Sequence, residues 1–206
     1  VAFAEGRLGG DFSIKKLMTK RSTDGGSHWT PATVIPGTWE DGWCVGQPTC
    51  AYDPTSQILF LQFQNSTAHT EVNGLTYQIT SRTFGETWEA PTSIDKYLGQ
   101  YHGVFPGPGN AIVLSNRSKY PGRLVFSAWG VTTLKGRETN YDIVYYSDDQ
   151  GATYSVSTPT FPKNLTGIYE EPTVAETQDG SVYLNMRMAN DVALCGGKHC
   201  RFSALS

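Results

Sequence analysis

Two stretches of the chain place a carboxylic acid a short way along the sequence from an arginine. Arg7 stands four residues before Asp11, and Glu171 stands sixteen residues before Arg187. A carboxyl group can donate or accept a proton, and a guanidinium can bind a carboxylate through two parallel hydrogen bonds. The residue types therefore permit proton transfer and carboxylate binding. Taken alone, they suit equally well an ordinary loop aspartate at Asp11 and a surface salt bridge at Arg187.

The four cysteines fall into two close pairs, Cys44 with Cys50 and Cys195 with Cys200. Neither spacing is the C-x2-C of a zinc ribbon, and each pair brackets a loop that contains glycine. We therefore expect two local disulfides and an oxidising compartment, which is secreted or extracellular, with a lysosomal or periplasmic location as alternatives. His199 lies between the last two cysteines and is expected to be a loop histidine rather than a metal ligand.

The composition favours a folded all-β protein over a disordered one. Charged residues make up 17% of the chain and aromatic residues 12%, with 22 glycines and 11 prolines, as in turn-rich proteins with an aromatic core. A net charge of −3 supplies no basic surface for a phosphate backbone, so nucleic acid is not an expected partner.

No apolar run reaches the roughly 18 residues of a membrane span. Three N-x-S/T sequons, at Asn65, Asn116 and Asn164, agree with a secretory pathway that glycosylates.

One octapeptide pattern, S-x-[DT]-x-G-x-x-[WY], occurs three times, starting at Ser22, Ser81 and Ser147. Each copy follows an alternating stretch typical of a β-strand and precedes another short strand, so the pattern predicts a hairpin. Asp24 or Asp149 can accept hydrogen bonds from the turn amides, and the glycine permits a positive φ. The closing aromatic residue is expected to pack back under the sheet.

The three copies start 59 and 66 residues apart, which is roughly the length of one four-stranded propeller blade with its loops. Residues 200–206 resemble a strand that runs into a fourth copy. A closed ring of blades needs every sheet edge covered. We therefore expect residues 1–206 to be one partial propeller domain of about three and a half blades, truncated at both ends.

These octapeptides resemble the Asp boxes of the sialidase superfamily, and further motifs match across nearly the whole chain. Residues 1–7 with Asp11 resemble the segment after the family's first arginine. Gln47 with Pro48 and Thr49 is similar to its second-blade segment, although the family usually has aspartate or asparagine where Gln47 stands. Residues 107–112 with 121–125 look like its third-blade signature. Residues 171–187 resemble the family pattern E-x-x-V-x-E-x-x-D-G-x-x-x-x-N-x-R.

The resemblance implies a six-bladed β-propeller and a retaining exo-α-sialidase that acts on sialylated glycans without cofactor or metal. Asp11 would then be the acid and base for the leaving oxygen and the water, and Glu171 the base beside a tyrosine nucleophile. Arg187 would bind the substrate carboxylate, Arg7 would contact the 4-hydroxyl of the sugar, and Gln47 would lie near that group or the N-acyl arm. A neutral tyrosine avoids the repulsion that a carboxylate nucleophile would meet.

The tyrosine and two further arginines of the family pattern have no counterpart in the sequence. By analogy they would lie before Val1 and beyond Ser206, so the 206-residue chain is expected to be inactive alone. Two alternatives stay open: glycosyl transfer of the trans-sialidase type, and a non-catalytic Asp-box propeller that binds glycans or proteins. The presence of Asp11 and Glu171 argues against the pure binder. Glu170 is a neighbouring candidate for the base, but the spacing to Arg187 favours Glu171.

Overall fold

A computed structural model of the protein describes residues 1–10, 13–38, 43–67, 74–99, 101–134, 137–157, 169–188 and 201–206. In chain order the strands in these ranges are β1 (Ala2–Arg7), β2 (Lys15–Lys20), β3 (Thr33–Val34), β4 (Trp43–Asp53), β5 (Ile58–Thr67), β6 (Leu75–Ser81), β7 (Thr92–Ser93), β8 (Gly103–Pro106), β9 (Gly109–Asn110), β10 (Ile112–Val113), β11 (Leu124–Leu134), β12 (Arg137–Ser147), β13 (Ser155–Ser157), β14 (Tyr169–Glu176), β15 (Val182–Met188) and β16 (Arg201–Leu205). A short 3-10 helix spans Asp95–Tyr97. Within the described ranges, no helix has the length and apolar character needed to cross a membrane.

The strands form four blades, of which the first two share one sheet. That sheet runs in the order β1-β2-β4-β5-β6-β7, with β3 on β2 and β9 on β4. The strands of blade 1 (β1 to β3) and of blade 2 (β4 to β7) pair antiparallel, and one parallel pair, Lys15 with Cys44, joins the two blades. Blade 3 consists of β8 and β10 to β13, and blade 4 of β14 to β16. The antiparallel blades agree with the predicted all-β architecture.

Apolar side chains on both faces of β5 hold blade 2 against its two neighbours. In β5, Phe60 packs with Phe126 and Tyr145 of blade 3, whereas Leu61 and Phe63 pack with blade 1 residues. Successive side chains point to opposite faces of a strand, so an uninterrupted apolar run such as that of β5 is suited to burial between two neighbours. Each fully buried side chain of this size stabilises the fold by about 1.5–3 kcal/mol.

The three octapeptides close hairpins as predicted. In each of them the serine Oγ accepts a hydrogen bond from the glycine N–H four residues later, at 2.8 Å, 2.8 Å and 2.7 Å, and the glycine has a positive φ. The closing aromatic residue packs inward in two copies, because Trp88 contacts Phe3 edge to face and Tyr154 is buried. The expectation is wrong for Trp29, which is 45% exposed.

The predicted disulfide between Cys44 and Cys50 is wrong. Both cysteines lie on β4 and pair across to different residues of β5, Ser66 and Leu61. Six residues of strand span about 20 Å, whereas disulfide-bonded Cα atoms lie within about 7 Å of each other. The segment between them was expected to be a loop, but the strand continues through it, and Cys50 is a free thiol.

The second cysteine pair, Cys195 and Cys200, lies outside the described residues, as do His199 and the sequon at Asn164. Asn65 lies inside β5 and is only 9% exposed, which leaves no room for a glycan. Asn116 lies exposed in a turn. The oxidising compartment therefore stays a prediction, without support from Cys44 and Cys50.

Candidate functional site

One pocket of about 200 Å³ gathers side chains from all four blades. It is lined by Arg7, Lys15, Cys44, Gly46, Gln47, Gln64, Ser66, Phe105, Trp129, Glu170, Glu171 and Arg187. Four of the five residues singled out in the sequence lie here together. The fifth, Asp11, lies outside the described residues. Across the described part of the chain, no three His, Cys, Asp or Glu side chains come close enough together to hold a metal ion.

Two of these residues, Gln47 and Glu171, occupy the same kind of backbone irregularity in different blades. Each has a positive φ, 59° for Gln47 and 53° for Glu171, and each precedes a proline. The strand register shifts at both places, between Gly46 and Thr49 in β4 and between Glu170 and Thr173 in β14. A bulge redirects side chains out of the normal alternation. A positive φ at a residue other than glycine costs of order 1–3 kcal/mol and is often found at functional sites.

The bulge at Glu171 is fastened to the neighbouring blade. The hydroxyl of Ser127, which is fully buried on β11, donates to the carbonyl oxygen of Pro172 at 3.1 Å. A buried side-chain hydrogen bond at this place satisfies a carbonyl that the irregular register leaves without its ladder partner. Blade 3 therefore helps to hold Glu171 in its strained conformation.

Glu171 and Arg187 form an ion pair at the pocket. Arg187 Nη1 lies 2.9 Å from Glu171 Oε2 and 4.0 Å from Glu170 Oε2. The hairpin of β14 and β15 explains the sixteen-residue spacing, since it places Glu170 directly opposite Arg187. The side chains of Arg187 and Glu171 are 46% and 40% exposed, and so open an ion pair adds about 0–1 kcal/mol of stability. Both groups are accessible to a ligand.

Glu5, which no motif of the sequence singled out, organises the other side of the pocket. Its Oε2 accepts hydrogen bonds from Arg7 Nε at 2.9 Å and Lys15 Nζ at 3.0 Å, and its Oε1 accepts one from the backbone N–H of Gln47 at 2.8 Å. Gly46 makes room for this carboxylate, because a Cβ there would lie 2.6 Å from Oε1. Glu5 therefore links β1 and β2 to the bulge of β4. The usable signal was the two-residue spacing from Arg7, which puts both on one face of β1.

The pocket also has an aromatic wall and three polar atoms without a partner. Phe105 and Trp129 stack with their centroids 3.8 Å apart and nearly parallel. Trp129 Nε1, Gln64 Nε2 and Gln47 Oε1 are buried and make no hydrogen bond within the described structure. Leaving such a group unsatisfied costs about 1–3 kcal/mol. Two donors and an acceptor beside an apolar wall suit a small polar ligand with an apolar side.

Beside Trp129, on the neighbouring strand, lies a buried carboxyl group that the sequence did not reveal. Asp142 pairs with Trp129 across β11 and β12 and is 0% exposed. Burial, helped by the negative charge of Glu170, raises its pKa to about 8. Asn140, on the same face of β12, donates to Glu170 Oε1 at 3.2 Å. Glu170 is thus hydrogen-bonded to blade 3, whereas Glu171 pairs with Arg187.

The chain as a whole is similar to proteins of a known family. Residues 2–202 match the family described as BNR repeat-like domain. A curated exo-alpha-sialidase from Aspergillus fumigatus is 28% identical over 218 residues, which cover 91% of this chain and 48% of that protein. The chain therefore spans about half the length of this curated relative.

Several solved structures similar to the chain are sialidases or intramolecular trans-sialidases. A leech intramolecular trans-sialidase superposes with a TM-score of 0.74 at 13% identity, covering 99% of this chain and 46% of that one. The intramolecular trans-sialidase of Ruminococcus gnavus superposes with a TM-score of 0.71 at 15% identity, covering 97% of this chain and 67% of that one. The Hadza microbial sialidase Hz136 superposes with a TM-score of 0.69 at 19% identity, covering 91% of this chain and 40% of that one. At these identities the likeness shows the fold. It confirms the predicted sialidase-type β-propeller, of which the chain is a part.

Proposed function

The chain belongs to the BNR repeat-like domain family of the sialidase superfamily, and on that premise we propose that it forms part of the catalytic propeller of an exo-α-sialidase. The observation that carries the proposal is the accessible pair of Arg187 and Glu171, 2.9 Å apart, in the same pocket as Arg7 and Gln47. An exposed ion pair contributes little to stability, so its place on a strained bulge favours a role in binding and catalysis.

Arg187 binds the carboxylate of sialic acid in this mechanism. Its planar guanidinium offers two parallel donors, which match a carboxylate better than the point charge of a lysine. When the substrate takes over this contact, Glu171 is released from its ion pair. Its half-exposed carboxylate then accepts the proton of a tyrosine nucleophile, whose ordinary pKa of about 10 makes it weak without a base. No residue of this chain is assigned as that tyrosine.

Asp11 protonates the leaving glycosidic oxygen while the tyrosine bonds to the anomeric carbon, and Asp11 then deprotonates the water that displaces the tyrosine, which takes its proton back from Glu171. The two displacements give net retention. Arg7, oriented by Glu5, contacts the 4-hydroxyl of the sugar. The unpaired atoms of Gln47, Gln64 and Trp129 then receive the remaining polar groups of the ligand. The stacked rings beside them supply an apolar surface, as pockets for small ligands usually do.

The experiment uses the product of the native gene and a fluorogenic α-sialoside, with Glu171→Gln and Arg187→Lys as variants and Glu86→Gln as the control. Glu86 is exposed in the second octapeptide turn and pairs there with Arg21. We expect turnover in the wild type and the control and a large loss in both site variants. Absence of both turnover and sialic acid binding in the wild type would overturn the proposal.

A transfer reaction of the trans-sialidase type uses the same residues and differs in the acceptor. Two of the similar structures are intramolecular trans-sialidases, but likeness at 13–15% identity concerns the fold alone. Product analysis separates the two reactions. Free sialic acid as the product supports hydrolysis, whereas an anhydro sugar, or a sialylated acceptor when lactose is added, supports transfer.

A further inference from the structure

Asp142 is a buried acid for which the proposed mechanism has no use. Neither of its carboxyl oxygens makes a hydrogen bond within the described structure, and the residue is 0% exposed. An ionised carboxylate at such a place loses its hydration and gains no donors in return. The protonated form is therefore strongly favoured.

Among the side chains that the structure describes, the charges near Asp142 come from blade 4. Strands β11 and β13, which flank β12 in the sheet, carry no titratable side chain. Strand β14 of blade 4 packs against β12 and contributes Glu170. The neighbouring strand β15 contributes Arg187, which lies 4.0 Å from Glu170. Glu171 pairs with the same arginine on the pocket side, and Tyr141 neighbours Asp142 on its own strand. Arg187 is thus the one positive group among the described side chains of these strands.

Arg187 therefore stands between two sources of negative charge. Glu171, whose side chain is 40% exposed, contacts it at 2.9 Å, and Glu170, which is 26% exposed and is bonded to Asn140 on the inner side, lies 4.0 Å away. With Asp142 neutral, the inner side carries the single charge of Glu170. Ionisation of Asp142 would add a second negative charge beside that of Glu170. No new hydrogen-bond donor would come with it, because the amide of Asn140 already donates to Glu170.

We propose that Asp142 is a positioning residue, which keeps Arg187 directed to the pocket while its own buried carboxyl is protonated and draws the guanidinium inward, away from a carboxylated ligand, once it ionises. The inference rests on the proposed role of Arg187 in binding the substrate carboxylate. The pKa of Asp142, raised to about 8 by burial and by Glu170, puts the change just above neutral pH.

The first test measures binding of free sialic acid to the native gene product by calorimetry between pH 6 and pH 9.5. We expect the affinity of the wild type to fall about tenfold as pH rises through the ionisation of Asp142. In Asp142→Asn, which has the same shape and cannot ionise, the affinity should stay level. The control is Asp148→Asn, which removes a surface carboxylate bound to Arg123 and should keep the profile of the wild type.

The second test needs no ligand and no change at Asp142, so it holds even if Asp142→Asn fails to fold. Carbon-13 resonances of the aspartate carboxyls and the Arg187 Nε resonance are followed by NMR against pH. We expect Asp142 to titrate near pH 8, the Arg187 signal to move with the same midpoint, and Glu170→Gln to lower that midpoint. The inference is overturned if Asp142 titrates below pH 5, or if the Arg187 Nε resonance does not change as Asp142 titrates.

The two proposals fail in different ways. If sialic acid binds at no pH while Asp142 titrates and the Arg187 resonance moves with the same midpoint, the coupling stands and the sialidase assignment falls. If sialic acid binds with an affinity that is equal in the wild type and Asp142→Asn at every pH, the assignment stands and the inference about Asp142 falls.

Discussion

Arg187 and Glu171 meet at 2.9 Å although each begins on a different strand of blade 4. The β14–β15 hairpin brings Arg187 opposite Glu170, and the bulge at Glu171 adds a second carboxylate to the same guanidinium. A regular strand would have directed Glu170 and Glu171 to opposite faces. The strained residue is therefore what makes the pair, and the pair is the centre of the proposed chemistry.

Arg187→Lys is predicted to lower kcat/KM for a sialoside by about 10- to 100-fold, because a lysine offers a point charge in place of the planar fork. The melting temperature should change little, since the arginine is 46% exposed. Steady-state kinetics and thermal unfolding check the two parts. A fall in melting temperature comparable to the loss of activity would mean that Arg187 serves the fold.

Glu5→Gln is predicted to destabilise the protein by about 2–4 kcal/mol, since it leaves the buried ammonium of Lys15 without its counter-charge. It should also raise KM, because Arg7 and the bulge at Gln47 lose their shared anchor. Urea unfolding and kinetics measure both effects. The matched control is Glu86→Gln, in which an exposed glutamate loses its pairing with Arg21 and little change is expected.

The free energy of unfolding is predicted to fall as pH rises from about 4 to about 8. Asp142 has a raised pKa of about 8 in the folded protein, so between these values the folded state holds a proton that the unfolded chain has released. Its contribution amounts to as much as about 1.4 kcal/mol per pH unit. Asp142→Asn should flatten this slope and be more stable than the wild type at pH 8. Urea unfolding at several pH values checks it, and equal slopes in the two proteins would contradict it.

Ser147→Ala is predicted to cost about 1–3 kcal/mol, because it leaves the buried N–H of Gly151 without its acceptor at 2.7 Å. The equivalent change Ser22→Ala removes a bond of 2.8 Å in an exposed turn, where water can replace the hydroxyl, and should cost clearly less. Thermal unfolding of the two variants side by side tests burial as the cause. Equal losses would show that the turn itself, and not its burial, sets the effect.

The sequence was most informative where structure is local. The octapeptides predicted hairpins because serine, glycine and the acidic or hydroxyl residue act within one turn, and the spacing of Glu171 and Arg187 corresponds to one hairpin. The sequence did not reveal residues whose surroundings are set by a neighbouring blade. Asp142 alternates like any inward residue of β12, and only the blade packed against it shows that it lies beside Glu170.

The wrong expectations have the same origin. Cys44 and Cys50 flank Gln47 and Pro48, a dipeptide that is typical of a turn. Strand β4 nevertheless continues through this dipeptide as a bulge, because β5 pairs with β4 on both sides of it. Trp29 has the same place in its octapeptide as Trp88, but its indole stays on its own turn. Its Nε1 donates to the carbonyl oxygen of Gly26 at 2.9 Å, and the residue is 45% exposed.

The most direct test of the account follows the hydrolysis of an α-sialoside by the native gene product with proton NMR, in the wild type and in Glu171→Gln. The account predicts that the α anomer of sialic acid appears first and then mutarotates, and that Glu171→Gln abolishes its release. First appearance of the β anomer, or equal release by the two proteins, would contradict a retaining mechanism in which Glu171 is the base.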